Sequence, residues 1–279
     1  MKGDWLKTIV VAFLLMAASS PLYAQWPAYP SPNVPHNRDG SPNLDGPTPR
    51  TADGHPDFTG VWERVGPGGI NVDPAKLQSP DGGPPQATFW NIGAGFKQGL
   101  PFRPLARLLR QERIANDQKD NPDAHCLPMG LTQLHMHPQP RKMVQTPNLI
   151  VIMYEGNSGL RQIFLDGRPL PKLDDDLQPW WYGYSVGHWE GDTLVVETIG
   201  FRDDVWLDVQ GSPLTHLGKM TERFRRPTFG SLQIDITIED PAAYTHPFTV
   251  RVNQKIMLDS ELIEFICQEN EQSSQHYDP

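Results

Sequence analysis

Between residues 141 and 268 apolar and polar side chains alternate with a period of two, interrupted at short intervals by glycine, asparagine and aspartate. That period puts successive side chains on opposite faces of a strand, and the interruptions supply turn conformations. The pattern predicts strands over residues 142–146, 149–155, 160–168, 182–189, 193–199, 220–226, 232–239, 248–256 and 261–268. Glu190-Gly191-Asp192 offers the turn of the clearest hairpin and Gly156-Asn157-Ser158-Gly159 that of a second. Over residues 232–239 the alternation is strict, so one face is buried and the other wet. Residues 57–64 form a further strand, with Phe58 and Trp62 on one face. Leu105, Leu108, Leu109, Arg113 and Ile114 fall near a 3.6 period behind Pro104, which predicts a helix over residues 104–118.

So many strands in one chain must solve the problem of exposed edges, and full closure removes them. The expected fold is mainly β: an antiparallel up-and-down, calycin-like barrel, with a two-sheet sandwich as the alternative. A barrel of this size holds one small ligand. The expected organisation is a leader over 1–24, a proline-rich extended segment over 25–56, a single barrel-like domain over 57–272 with an insert at 65–140, and a tail over 273–279. More than half of the 29 prolines lie in residues 25–104, too dense for regular structure. With so little apolar content, residues 25–50 are expected to dock weakly and to be cleaved first by protease.

Lys2 and Lys7 beside an apolar run of about ten residues (9–18) read as a secretory signal peptide, with cleavage after Ala24. The run is too short to span a bilayer, no later stretch is long enough, and no stable membrane span is expected after cleavage. Export into an oxidising compartment changes how Cys126 and Cys267 are read. One disulfide between them is expected, with two buried free thiols as the alternative. A net charge of −9, which becomes −10 once Lys2, Asp4 and Lys7 are removed, argues against a nucleic-acid partner.

Two resemblances can be stated. Gly60-Val61-Trp62 at the start of a strand resembles the Gly-x-Trp of the lipocalins, although the proline-rich insert that follows departs from that family. Phe164-Leu165-Asp166-Gly167-Arg168-Pro169, the stretch from Gly187 to Thr198 (GHWEGDTLVVET) and Thr221-Glu222-Arg223-Phe224 resemble an uncharacterised family of exported bacterial β-proteins. That likeness runs from about Pro122 to Asn270. It implies a bacterial periplasmic or secreted protein and carries no activity across.

The chemistry is therefore read from the residues. Tyr154, Arg161, Tyr184, His188, Glu197 and Glu222 are polar groups set among apolar β residues, and inside a barrel such groups must be paired or titrate abnormally. In one register of the hairpin His188 and Glu197 look into a common cavity. Glu197 then orients His188, Arg161 meets an anionic or enolic oxygen and Tyr154 delivers a proton, without a metal. In the other register His188 turns outward and a binding protein remains. Tyr184, Trp180, Trp181 and Glu222 are the expected ligand-binding residues, the tryptophans as a platform for a flat or sugar-like molecule. The bland alternative is an outer face of cross-strand ion pairs, such as Arg223 with Asp235 or Glu222 with Arg251.

His135-Met136-His137, if extended, aligns two imidazoles on one face, but no third ligand stands at a defined spacing and no metal is assigned. Gly-x-Gly-x-x-Gly, P-loop and Gly-x-Ser-x-Gly patterns are absent, so no cofactor is implied and an α/β serine hydrolase is disfavoured. Two function classes stay open: cofactor-independent acid–base catalysis (lyase, isomerase or hydrolase) on a small aromatic, terpenoid or sugar-like molecule, or carriage of such a ligand without chemistry. An envelope interaction protein is a third. Oligomeric state is not legible.

Overall fold

A computed structural model describes residues 29–173 and 178–269. The leader and tail readings lie outside these residues. The chain divides into residues 1–30 and a compact unit over residues 31–279, and the barrel belongs to the second.

Nine strands close into a barrel in sequence order: β1 (Gly60–Val65), β2 (Arg141–Gln145), β3 (Leu149–Tyr154), β4 (Gly159–Phe164), β5 (Tyr184–Glu190), β6 (Thr193–Ile199), β7 (Lys219–Thr228), β8 (Ser231–Glu239) and β9 (Phe248–Ile256). Closure occurs at β1, where Trp62 lies opposite Arg141 of β2 on one side and Ile256 of β9 on the other. The barrel expectation holds, and the sandwich is excluded. One departure corrects the antiparallel reading: β4 and β5 pair in parallel, and only through Ile163 with Ser185 and Phe164 with Val186. The long connection over residues 165–183 brings the chain back in the same direction, which a tight turn cannot do. The segment predicted as a strand over 261–268 is irregular. With β1 already between β2 and β9, the sheet has no edge left for it to join.

Inward positions are mostly apolar. Ile234, Ile236 and Ile238 of β8, Val250 and Val252 of β9, Ile150 and Ile152 of β3 and Val196 of β6 are buried in one cluster with Trp62 and Phe224. Side chains thus fill the barrel, as small barrels require. At the end where β5 and β7 finish, Phe58 stacks on Trp189, and Arg226 lies 4.8 Å over the Trp62 ring while bonding the carbonyls of Asp57 and Phe229. Residues 44–55 dock on this end, contrary to the weak docking expected up to residue 50. Thr48 Oγ1 donates to Arg226 O (2.6 Å), the amides of Phe229 and Gly230 donate to Gly46 O and Leu44 O (2.8 Å each), Arg50 forks onto Asp192, and His55 stacks on Trp189. Backbone polar groups and two rings do the docking, so apolar content was the wrong gauge.

Helix α1 (Pro104–Ala115) forms where expected, but it turns its leucines outward. Leu105 is 80% exposed, whereas Ala106 is buried and Arg113 reaches inward, its Nη1 bonded to Gly211 O and its guanidinium 4.4 Å over Trp206. A second helix, α2 (Leu131–Met136), is buried at every residue and takes the place of the extended His135-Met136-His137 segment. Thr132 Oγ1 and Gln133 Nε2 donate to the carbonyls of Leu207 (2.6 Å) and Trp206 (2.9 Å). Gly130 caps its N-terminus under a backbone so near that a Cβ would lie 2.0 Å from Trp206 O, so only glycine fits. At its other end the buried Arg141 donates to His135 O (2.7 Å), His137 O (2.9 Å) and Gln139 O (2.8 Å), satisfying carbonyls the helix leaves open.

Candidate ligand-binding site

Residues opposite each other in an antiparallel pair share a face. Ser185 opposes Thr198, and both are buried inside the barrel. His188, opposite Val195, and Glu197, opposite Val186, therefore share the outer face. His188 is about half exposed and bonds Glu190 (3.4 Å), while Glu197 pairs with Lys219. The expected His188–Glu197 site inside a cavity is not formed, because the register that would place it there would turn Ser185 and Thr198 outward.

Arg161, Tyr154 and Glu222 do come together inside the barrel, and their histidine is His135. Glu222 Oε1 accepts from His135 Nε2 (2.8 Å) and Arg161 Nη1 (3.0 Å), and Oε2 accepts from Arg161 Nη2. Arg161 also donates to Ser185 Oγ (3.1 Å) and Thr198 Oγ1 (3.0 Å), and those hydroxyls lie 3.0 Å apart. Tyr154 packs edge-on against the His135 ring. Sequence reasoning missed His135 as a member of this group because a six-residue helix gives no amphipathic period and Thr132, Gln133 and His135 read as polar although all are buried; no sequence signal marked it. The expected ion pairs of Glu222 with Arg251 and Arg223 with Asp235 do not form. Arg251 bonds Asp235 and Asp81, and Arg223 bonds Glu190.

Burial alone would raise the Glu222 carboxyl, but Arg161 and His135 overcome it and hold Glu222 down at about 2. Burial lowers His135, outweighing its Glu222 partner, so the imidazole stays neutral and Nε2 carries the donated proton. Burial likewise pushes His137 down to about 4 and the Tyr154 phenol upward. All three acid-side shifts are depressions. The stability they carry is complete above the unfolded value and is lost as pH falls through the folded one. Stability should therefore decline first between about pH 6.5 and 4, as His137 is forced to charge, and again below about 4.5 as Glu222 protonates. Urea midpoints at steps between pH 7 and pH 3 check this, and a His137→Phe chain should show a shallower first decline.

Because β4 and β5 pair at only two positions, the barrel wall parts beside the first half of β4. A pocket of about 350 Å³ lies over this seam, walled by Leu160, Gln162, Phe164, Trp180, Trp181, Tyr182 and Tyr184, with Arg161 and Ser185 at its base. The Tyr184 ring stacks on Phe164 (5.2 Å) and tilts against Trp180 (5.4 Å), and Arg168 covers the other side of Phe164 (3.9 Å). Burial raises the Tyr182 hydroxyl to about 12, which keeps it a neutral donor. Three of the four expected ligand-binding residues, Trp180, Trp181 and Tyr184, meet here; the fourth, Glu222, does not line the pocket and stands behind Arg161. Among the described residues no group of three His, Cys, Asp or Glu side chains is placed to hold a metal, and no helix is long and apolar enough to cross a membrane.

Cys126 and Cys267 form a disulfide with Cα atoms 5.5 Å apart. It ties the segment after β9 to the loop that leads into the pocket wall at Pro128. Compared with protein-family models, curated proteins and solved structures, the chain matches none.

Proposed function

We propose that this is a periplasmic or secreted bacterial binding protein that carries a small aromatic, terpenoid or sugar-like molecule in the β4–β5 seam pocket and does no chemistry on it. The observation that carries this reading is the aromatic wall of Trp180, Trp181, Tyr182 and Tyr184 over a gap in the barrel. Tyr184 at the start of β5 and the three rings in the connection before it offer flat apolar area at little entropic cost, and Gln162 supplies a polar contact that fixes orientation. The export pattern of residues 1–24 and the likeness to exported β-proteins support the location.

Catalysis would need an acid–base group in reach of the ligand. His135 and Glu222 are committed to each other and to Arg161, and neither lines the pocket. Arg161 itself is occupied by Glu222, Ser185 and Thr198. Calorimetry and tryptophan fluorescence against a library of aromatic, terpenoid and sugar ligands, with product analysis of each mixture, test the reading. Binding without turnover is expected, weakened about ten-fold or more by Trp180→Ala and Tyr184→Ala with little change in melting temperature. Turnover abolished by His188→Ala or Glu197→Gln, or no binding across the library, would overturn it.

A further inference from the structure

The seam pocket has a neighbour. A second pocket of about 340 Å³ lies between the last turns of α1 and residues 120–127, with Trp206 and Trp181 as its aromatic surface. Trp181 lines both pockets, and the backbone steps directly from Leu127 in the second to Pro128 in the first. The two are adjoining compartments that share one indole, nearly equal in volume.

They also make the same kind of offer twice. Each joins tryptophan rings to polar side chains able to meet hydroxyl groups: Gln162 in the first, Glu112, Asn116 and Asp120 in the second. Among the described residues the side chains of these last three make no hydrogen bond, whereas their neighbours are engaged: Arg113 with Gly211 O, and Asp204 with Arg202, which lies 4.5 Å over the Trp181 ring. A purely apolar ligand long enough to enter both compartments would strip water from two carboxylates and return nothing. A chain of sugar rings returns a hydroxyl to each polar group and an apolar ring face to the Trp180 and Trp181 indoles, while Trp206 stays buried under Arg113.

We infer that the two compartments are successive subsites for one oligosaccharide laid across Trp181. This rests on the seam pocket being a ligand site and names its ligand class. Cello-, xylo-, malto- and chito-oligosaccharide ladders, from the single sugar to the tetrasaccharide, are titrated into the full chain by calorimetry and tryptophan fluorescence. For one ladder, affinity should climb at least about ten-fold between the single sugar and the short oligomers and then level off. A Glu112→Gln/Asp120→Asn chain should bind those oligomers only as tightly as the single sugar, with single-sugar affinity unchanged. Affinity independent of length, or a double variant that weakens single sugar and oligomer alike, overturns the inference. If no ladder binds while an aromatic or terpenoid ligand still saturates a Trp180→Ala-sensitive site, the oligosaccharide assignment fails and the seam pocket stands. If nothing binds, both fail.

Discussion

Glu222→Ala should cost the fold about 3–5 kcal/mol, because it leaves the Arg161 guanidinium buried inside the barrel without its counter-charge. Both Glu222 oxygens accept from Arg161, and one also accepts from His135, so one truncation strands three N–H donors on two side chains at once. Glu222→Gln, which keeps the volume and one acceptor, should be only partly better, since the missing charge is the larger loss. Replacing the group by apolar residues of similar size (His135→Phe, Arg161→Met, Glu222→Leu) should recover much of the stability, because then no charge is buried alone; Ser185 and Thr198 still have each other at 3.0 Å. Thermal and urea unfolding followed by circular dichroism check the series. An unchanged midpoint for Glu222→Ala would show that the three groups are not coupled as described.

The second large effect lies in the disulfide. Cys126 and Cys267 are 141 residues apart, and in the chain-entropy model closing a loop of that length stabilises the native state by about 5 kcal/mol. A Cys126→Ala/Cys267→Ala chain should unfold at a markedly lower urea concentration. It should also bind pocket ligands more weakly, since Cys126 lies between His125 and Leu127, which line the second compartment, and Pro128, which lines the first. Alkylation of the native oxidised chain should leave its intact mass unchanged, and reduction should admit two adducts. Two adducts without reductant, or an unshifted unfolding midpoint, would count against this role.

How far the sequence could be read depended on how local the deciding physics was. The period-two runs of β6 and β9 were legible to the residue, because burial on one face writes itself into alternation. The run over 261–268 carries a similar rhythm, yet whether a strand forms there depends on a free neighbour, and closure at β1 removes it. Direction was illegible for the same reason: nothing in residues 160–168 or 182–189 says which way the second runs beside the first. On β5 the inward set is Ser185, Gly187 and Trp189, which is less apolar than a buried face usually is. Ser185 faces in because Arg161, a strand away, requires its hydroxyl. The candidate chemistry therefore split: Arg161, Tyr154 and Glu222 were found as inward groups, while His188 and Glu197 fell on the other face. His135 stayed hidden in a helix too short to show a period. Trp180, Trp181 and Tyr184 were legible as a group because they are near neighbours in the chain, and they line one pocket.

The disulfide also sorts the strands by how they could be pulled apart. The covalent ring from Cys126 to Cys267 encloses α2 and all of β2 to β9, while β1 and everything before it stay outside. Only hydrogen bonds and packing hold β1 in the seam between β2 and β9. Under tension from its N-terminal side the chain would surrender β1 first, unzipping one pair at a time and opening the cylinder into a sheet with two bare borders. The eight remaining strands would lie in a loop whose ends are already fastened, where load passes across the sulfur bridge and does not extend them. The barrel is in this mechanical sense a shielded ring with one detachable stave, and that stave carries Trp62.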